Sequence, residues 1–415
     1  MKHVKGLALL RDSIPGVSGR NRGGSVAQCP GGGMLRRTRG EDGFAHILQS
    51  AASKVETQHY AIGTEIPHTG DKHSGWNDEQ PSSWISGFYT GLLIQAGRVT
   101  GNLRVDSVFQ RRRLINEAIL RQPATQNHDL GFQFLTTCVA VYQLAGCPDA
   151  REMALRAADI LRSLFRYNGE VIQAWTPCPA YKPKRRSSVV GKAIIDTMMN
   201  VSLLYWAAHV RRDESYADVA TMHARTTRKY LVREDGSTFH HYKFDPYTGD
   251  PLGGMTGQGY ANDSCWSRGQ AWAILGFANA YQHTGEPEFL STAVSTARFV
   301  ERRLPGTLLC PWDFDAPDRS RIDSSACAAT ICGLYKLADL MPGHEGREWK
   351  EMAGRMLCAL IDQCDLAREE RMYGLLDDGA SHVPAGRPNG LLIYGDYFYL
   401  EALMRANGYR DFPWC

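Results

Sequence analysis

Six times along this 415-residue chain a small or polar step leads into an apolar, helix-periodic stretch. The six are Trp84-Ile85-Ser86-Gly87-Phe88, His128-Asp129-Leu130-Gly131-Phe132, Ile195-Asp196-Thr197, Ser267-Arg268-Gly269-Gln270, Asp323-Ser324-Ser325-Ala326 and Tyr394-Gly395-Asp396-Tyr397. They lie roughly 44 to 72 residues apart, enough chain for one helical hairpin each. Six hairpins in succession predict an all-α fold closed as a ring of twelve helices, an (α/α)6 barrel, with the six starts at one mouth. Taken singly, each Gly or Ser also fits a packing role, letting two helices approach closely.

The spacing places a single barrel domain over residues 41–415. Residues 1–40 are rich in Gly, Arg and Ser without sustained periodicity, and read as a poorly ordered tail. The first barrel helix is hard to find upstream of Trp84, and His46 to His59 is the stretch that can supply it. The main break from helix is Gly236 to Asp250, where Thr and aromatic residues run into a Pro/Gly turn and predict a β-hairpin insertion. On such a strand His240 and His241 point to opposite sides, and alternation does not say which faces a site.

Composition narrows the partners. A net charge of +3 with 22% charged residues gives no bulk attraction to nucleic acid or to a membrane surface, and no stretch approaches a membrane span. Eleven scattered cysteines without CxxC pairs argue against a disulfide framework or a zinc site and predict reduced, mostly core thiols. The apolar run Gly6 to Leu10 is too short for a signal segment, so a cytoplasmic enzyme is expected, working as a monomer or weak dimer.

Two of the six starts carry acids. Asp196 sits between Ala193-Ile194-Ile195 and Met198-Met199, where burial would lift its pKa above the usual value of about 3.9 and leave an acid able to hold and return a proton near neutrality. Asp129 stands in the same setting, and two such acids converging on one cavity would titrate as a pair. The competing reading is the same for both: an Asp before an apolar run often caps the helix. Arg268 and Trp272, four residues apart, lie away from the apolar stripe Ala271, Ile274, Ala278 and Tyr281. A guanidinium and an indole pointing together suit an anionic sugar; a structural cation–π pair or a core Trp explains them as well. Trp84 carries the same ambiguity.

Beyond these single positions, the segments Trp84 to Gly91, His128 to Phe132, Ile195 to Asn200, Asp235 to Gly249, Ser264 to Phe277, Trp312 to Pro317 and Leu392 to Leu403 resemble the unsaturated glucuronyl hydrolases, glycoside hydrolase family 88. The resemblance runs from about Trp84 to Arg405. It implies an (α/α)6 barrel that hydrates the C4–C5 double bond of an unsaturated glucuronic acid at the non-reducing end of lyase-generated oligosaccharides, releasing it as a keto sugar. By the resemblance Asp196 protonates C4 and then deprotonates the water added at C5, and Asp129 orients hydroxyls or tunes Asp196. His240, Gln258, Arg268 and Trp272 resemble substrate-binding residues, and Trp84 the stacking aromatic; no metal or cofactor is implied. The chain departs from the family at Gly257, where a histidine is usual before Gln258-Gly259. It departs again at Leu309-Cys310-Pro311, where an aromatic is usual, and at Ile322 between Arg321 and Asp323. These segments border the place expected for the next sugar. Rival readings are an unsaturated rhamnogalacturonyl hydrolase, direct glycosidase action by Asp129 and Asp196, and a catalytically silent sugar-binding toroid.

Overall fold

In a computed structural model the described residues are 42–62, 66–78, 83–178 and 188–414, and they fall in one compact unit. The tail expected at residues 1–40 lies outside them. Among the described residues twelve helical rods alternate between an inner and an outer ring. The inner ring is α2 (Ser86–Thr100), α4 (Leu130–Phe134 continuing through the wider turn Leu135–Val139 into Ala140–Ala145), α6 (Thr197–Asn200 continuing as Ser202–Arg211), α8 (Ser267–Thr284), α10 (Ser324–Leu340) and α12 (Ile393–Ala406). Each begins at one of the six steps in the sequence. The outer rods are α1 (Asp42–Ile62), α3 (Val105–Arg121), α5 (Pro148–Ser163), α7 (Ser215–Tyr230), α9 (Pro287–Arg303) and α11 (Gly343–Cys364). The missing first helix is α1, spanning the expected His46 to His59.

Burial explains why the two rings look different in sequence. An inner helix is covered by two ring neighbours, an outer helix and the barrel interior, so every residue of Ser267 to Ala280 in α8 and of Ser324 to Leu337 in α10 is buried. An outer helix buries one stripe, as in Phe289, Thr292, Ala293, Thr296, Ala297 and Val300 of α9. Inner helices touch in the order α2, α4, α6, α8, α10, α12, and α12 closes on α2. Small residues set these approaches: a Cβ on Gly131 would fall 2.3 Å from Asn200 Cα, and one on Gly276 would fall 2.6 Å from Met198 Cβ. Inner helices turn sharply into their outer partners, with Gly146 and Gly285 ending α4 and α8 at φ of 66° and 71°. The long connections therefore gather at the opposite end, where the inner helices start.

Those connections hold short antiparallel strands: β1 (Pro67–Asp71), β2 (Gly75–Asp78), β3 (Phe165–Arg166), β4 (Val171–Ile172), β5 (Lys192–Ile194), β6 (His241–Phe244), β7 (Pro251–Met255) and β8 (Leu391–Leu392). The sheets run β2-β1-β8, β3-β4 and β5-β6-β7. The hairpin expected within 236–250 is β6 and β7: its first strand starts at His241 and its return strand lies beyond Asp250. Nine cysteines among the described residues are free thiols, seven of them buried, which fits small core side chains. Among the described residues no helix is long and apolar enough to cross a membrane.

Candidate active site

Strand pairing delivers Asp196 to His240. β5 runs against β6 with Ile194 opposite His241, and one step further the Ile195 N–H donates to the His240 carbonyl at 3.0 Å. The chain then turns into α6, leaving Asp196 at its N-cap and Asp129 at the equivalent place on α4. Neither carboxylate makes a capping hydrogen bond. Asp323, at the start of α10, does cap: it accepts from the amides of Ser325 and Ala326 at 3.1 and 3.4 Å. The capping explanation thus holds for Asp323 and fails for the two candidate acids.

Asn200 ties the two acid-bearing starts together. Its Nδ2 donates to the Asp196 carbonyl at 3.1 Å and lies 3.4 Å from His128 Nδ1, while its Oδ1 accepts from the Phe132 amide at 2.5 Å. Gly131 leaves the room this crossing needs. A residue four after Asp196 on the same helix face was a readable signal for this role.

Both acids are buried, 7% and 8% exposed, and burial pushes Asp196 up to about 7. The Arg268 guanidinium pulls the other way and does not win, because its hydrogen bonds go elsewhere. Asp129 is raised well above the usual range, first by burial and then by the neighbouring Asp196 charge. Its Oδ1 lies 3.4 Å from His128 Nε2, but burial pushes that imidazole down to about 3, so it brings no cation at neutral pH. A raised value alone does not mark a reacting group: Asp396 is also pushed to about 7, yet its two oxygens accept from the Leu375 and Leu376 amides at 2.9 and 3.1 Å. Asp196 differs in having Oδ2 buried with no partner. A buried oxygen in that condition is costly unless a bound molecule uses it.

His240 has its tautomer set by the loop after β7. Its Nδ1 accepts from the amides of Gly257 and Gln258 at 3.1 and 3.2 Å, so the ring proton resides on Nε2. Nε2 is buried and unpartnered, and burial, aided by the nearby His241 ring and the Arg268 guanidinium, holds the ring neutral, well below its ordinary pKa. The result is a fixed N–H donor. His241 is also buried, its ring 3.9 Å from His240 and edge-on to Trp175 at 5.5 Å. A Cβ on Gly257 would stand 3.0 Å from His241 Cε1, so the His241 ring abuts the place where a side chain at 257 would begin. Restoring the family's histidine by Gly257→His is therefore expected to lower kcat/KM about tenfold by displacing His240, and adding His241→Ala to recover most of the loss. Steady-state kinetics on both variants check this; a gain from the single substitution would contradict it.

Arg268 is 1% exposed and its fork is held by protein. Nη1 donates to Asp323 Oδ2 and, at 2.8 Å, to the Ala380 carbonyl; Nη2 reaches Gln258 Oε1 at 2.9 Å and the Ser381 carbonyl at 3.0 Å. Its Nε has no partner. The guanidinium lies over Trp266 at 4.5 Å and Tyr394 at 5.2 Å, so the aromatic companions of the cation are these two and not Trp272. Trp272 is fully buried against Phe132 and Phe398, at 5.4 and 5.1 Å, with its indole N–H unpartnered. Half-buried Trp84 packs on Phe132 at 5.6 Å and Tyr394 at 5.1 Å. Asp129, Asp196, His240, Gln258, Arg268, Trp272 and Trp84 are thus linked through direct neighbours at the mouth where the inner helices start. His128, His241, Trp175, Asp323 and Tyr394 join them without having been singled out for the site. Among the described residues no three His, Cys, Asp or Glu side chains are grouped so as to hold a metal ion.

The sequence profile of Glycosyl Hydrolase Family 88 matches residues 68–304. An unsaturated glucuronyl hydrolase of Bacillus sp. (strain GL1) is 34% identical over 350 residues, 83% of this chain and 91% of that protein. An unsaturated chondroitin disaccharide hydrolase of Streptococcus pyogenes is 32% identical over 381 residues, 89% of this chain and 92% of that protein. Among solved structures, the unsaturated glucuronyl hydrolase of Streptococcus agalactiae aligns with a TM-score of 0.82 at 28% identity, covering 91% of this chain and 95% of that one.

Proposed function

The chain belongs to glycoside hydrolase family 88, and on that premise we propose that it hydrates the C4–C5 double bond of an unsaturated glucuronic acid at the non-reducing end of lyase-generated oligosaccharides. The observation that carries this reading is Asp196: buried, raised to about 7, with one oxygen left unpartnered at the mouth of the barrel. One group that first gives a proton and then takes one works best with a pKa near the working pH.

In the proposed reaction the Asp196 carboxyl protonates C4 of the enol ether, and positive charge develops at C5 and the ring oxygen. The carboxylate so formed removes a proton from water as its oxygen bonds to C5, which returns Asp196 to its acid form. The resulting hemiketal collapses: the ring opens, the glycosidic bond breaks, and a keto sugar leaves beside the shortened saccharide. Asp129, held protonated by burial and by the neighbouring Asp196 charge, offers a hydrogen bond to substrate hydroxyls. His240 donates Nε2–H to a substrate oxygen. Arg268, through Nε and its charge, and Gln258 receive the uronate carboxylate, Trp84 faces the sugar ring, and Trp272, buried behind Phe132, supports that surface. The enzyme is proposed to act in the cytoplasm as a monomer or weak dimer, with this oligosaccharide as its partner.

The test is to offer an unsaturated glucuronyl disaccharide and follow loss of the near-UV absorbance of its conjugated double bond, with the saturated glucuronide as comparison. Turnover of the unsaturated compound alone is expected. Comparable rates on both would replace hydration by direct displacement at the anomeric carbon.

A further inference from the structure

The barrel has a cavity at its far end, lined by both polar and apolar residues. Gln143 and Gln282 lie in the last turns of α4 and α8, and Gln95 lies five residues before the end of α2; Gln95 is nine residues beyond Ser86, about 14 Å along the helix from the mouth, and Gln282 about 22 Å beyond Ser267. With Arg98, Tyr397 and Phe412 they line a cavity of about 570 Å³, within the range of ~300–1,000 Å³ usual for small-molecule sites. Its floor is the feature that needs explaining. Gln95 is 3% exposed, and neither its Nε2 nor its Oε1 has a hydrogen-bond partner. A buried carboxamide with both ends unsatisfied is rare because desolvation of each end is uncompensated.

The unmet requirement is specific. A carboxamide presents donors and an acceptor side by side, so a carboxylate would satisfy only Nε2 and an ammonium only Oε1. Adjacent hydroxyls satisfy both, since each donates and accepts. At the rim the exposed Gln143 offers a second carboxamide, the Oε1 of exposed Gln282 accepts from Lys336 Nζ, and exposed Leu144 supplies apolar surface beside the buried rings of Tyr397 and Phe412. Arg98 is already committed, Nη1 donating to the Asp411 carbonyl at 2.6 Å with the guanidinium 5.9 Å from the centre of the Phe412 ring.

We propose that this far-end cavity binds a neutral saccharide unit through vicinal hydroxyls on the Gln95 amide, as a site separate from the mouth that holds Asp196. The inference does not depend on the reaction assigned to that mouth.

The experiment is saturation-transfer NMR of the full chain with glucose, galactose and N-acetylgalactosamine as probes, on the wild type, Gln95→Leu and Gln143→Ala. Saturation transfer to at least one probe is expected, with affinity about tenfold weaker in Gln95→Leu and about threefold weaker in Gln143→Ala. The melting temperature of Gln95→Leu should be no lower than wild type, since it removes an unsatisfied amide. Should Gln95→Leu fail to fold, Gln143→Ala at the exposed rim carries the same comparison. Equal affinity in wild type and variants would place binding at the other mouth and overturn the proposal. So would the absence of transfer to all three probes, with Gln95 bridged by water alone in a crystal soaked in them.

Discussion

Replacing Asp196 by Asn lowers kcat by at least about a thousandfold while the fold persists. The amide has the shape of the carboxylic acid and cannot give up a proton to carbon, so the loss falls on chemistry and KM changes little. The same group sets the basic limb of wild-type activity, because its acid form disappears as pH rises through about 7. Stability moves the opposite way. In the unfolded chain Asp196 ionises near the ordinary value of about 3.9, but in the fold it holds its proton to about 7, so between these pH values unfolding releases a proton and wild-type stability falls as pH rises. Asp196→Asn is exempt from that loss. Its melting temperature should exceed wild type at pH 8 and converge on it toward pH 4. Removing the Asp196 charge also lowers the pKa of Asp129, which that charge helps to raise. Full activity of the variant would remove Asp196 from the reaction.

Asp323→Ala should be the most damaging substitution away from the reacting acid. Asp323 is fully buried and meets Arg268 Nη1, the amides of Ser325 and Ala326, the Ser325 hydroxyl at 2.6 Å and the Ala380 amide at 3.3 Å. Its loss strands a buried guanidinium and uncaps α10. Breaking one side of such a pair costs about 3–5 kcal/mol, so a fall in Tm of about 4–6 °C is expected for a chain of this size, together with a rise in KM as Arg268 loses its orientation. Thermal denaturation and kinetics read the two effects separately. A shift below about 2 °C would show that Arg268 is held by the carbonyls of Ala380 and Ser381 instead.

The ring was legible because its inner helices are buried all round and so begin abruptly from polar steps; all six steps coincide with inner-helix starts. The outer helices show the one-sided stripe that surface helices must show, and α1 occupies the stretch that its position in the ring required. The hairpin was legible as a break in helical pattern, but its register was not, since β5, nearly fifty residues upstream, decides where β6 begins. At the site, local sequence could place Asp196, Asp129 and Asp323 at helix starts without saying which one caps. That depends on whether the carboxylate turns back to its own amides, as Asp323 does, or stays free, as Asp196 Oδ2 does. Arg268 and Trp272 lie four apart on one helix, yet the guanidinium turns to Asp323, Tyr394 and the Ala380 carbonyl, contacts across the barrel that no local spacing encodes. The tautomer of His240 likewise rests on two backbone amides from the loop after β7.

The most direct measurement is proton and deuterium NMR of the product released from an unsaturated glucuronyl disaccharide in heavy water. One deuterium is expected at C4 of the keto sugar, delivered by Asp196, with a solvent oxygen at C5 when the water is labelled with heavy oxygen. A product without deuterium at C4, or with solvent oxygen at the anomeric carbon, would contradict hydration through Asp196.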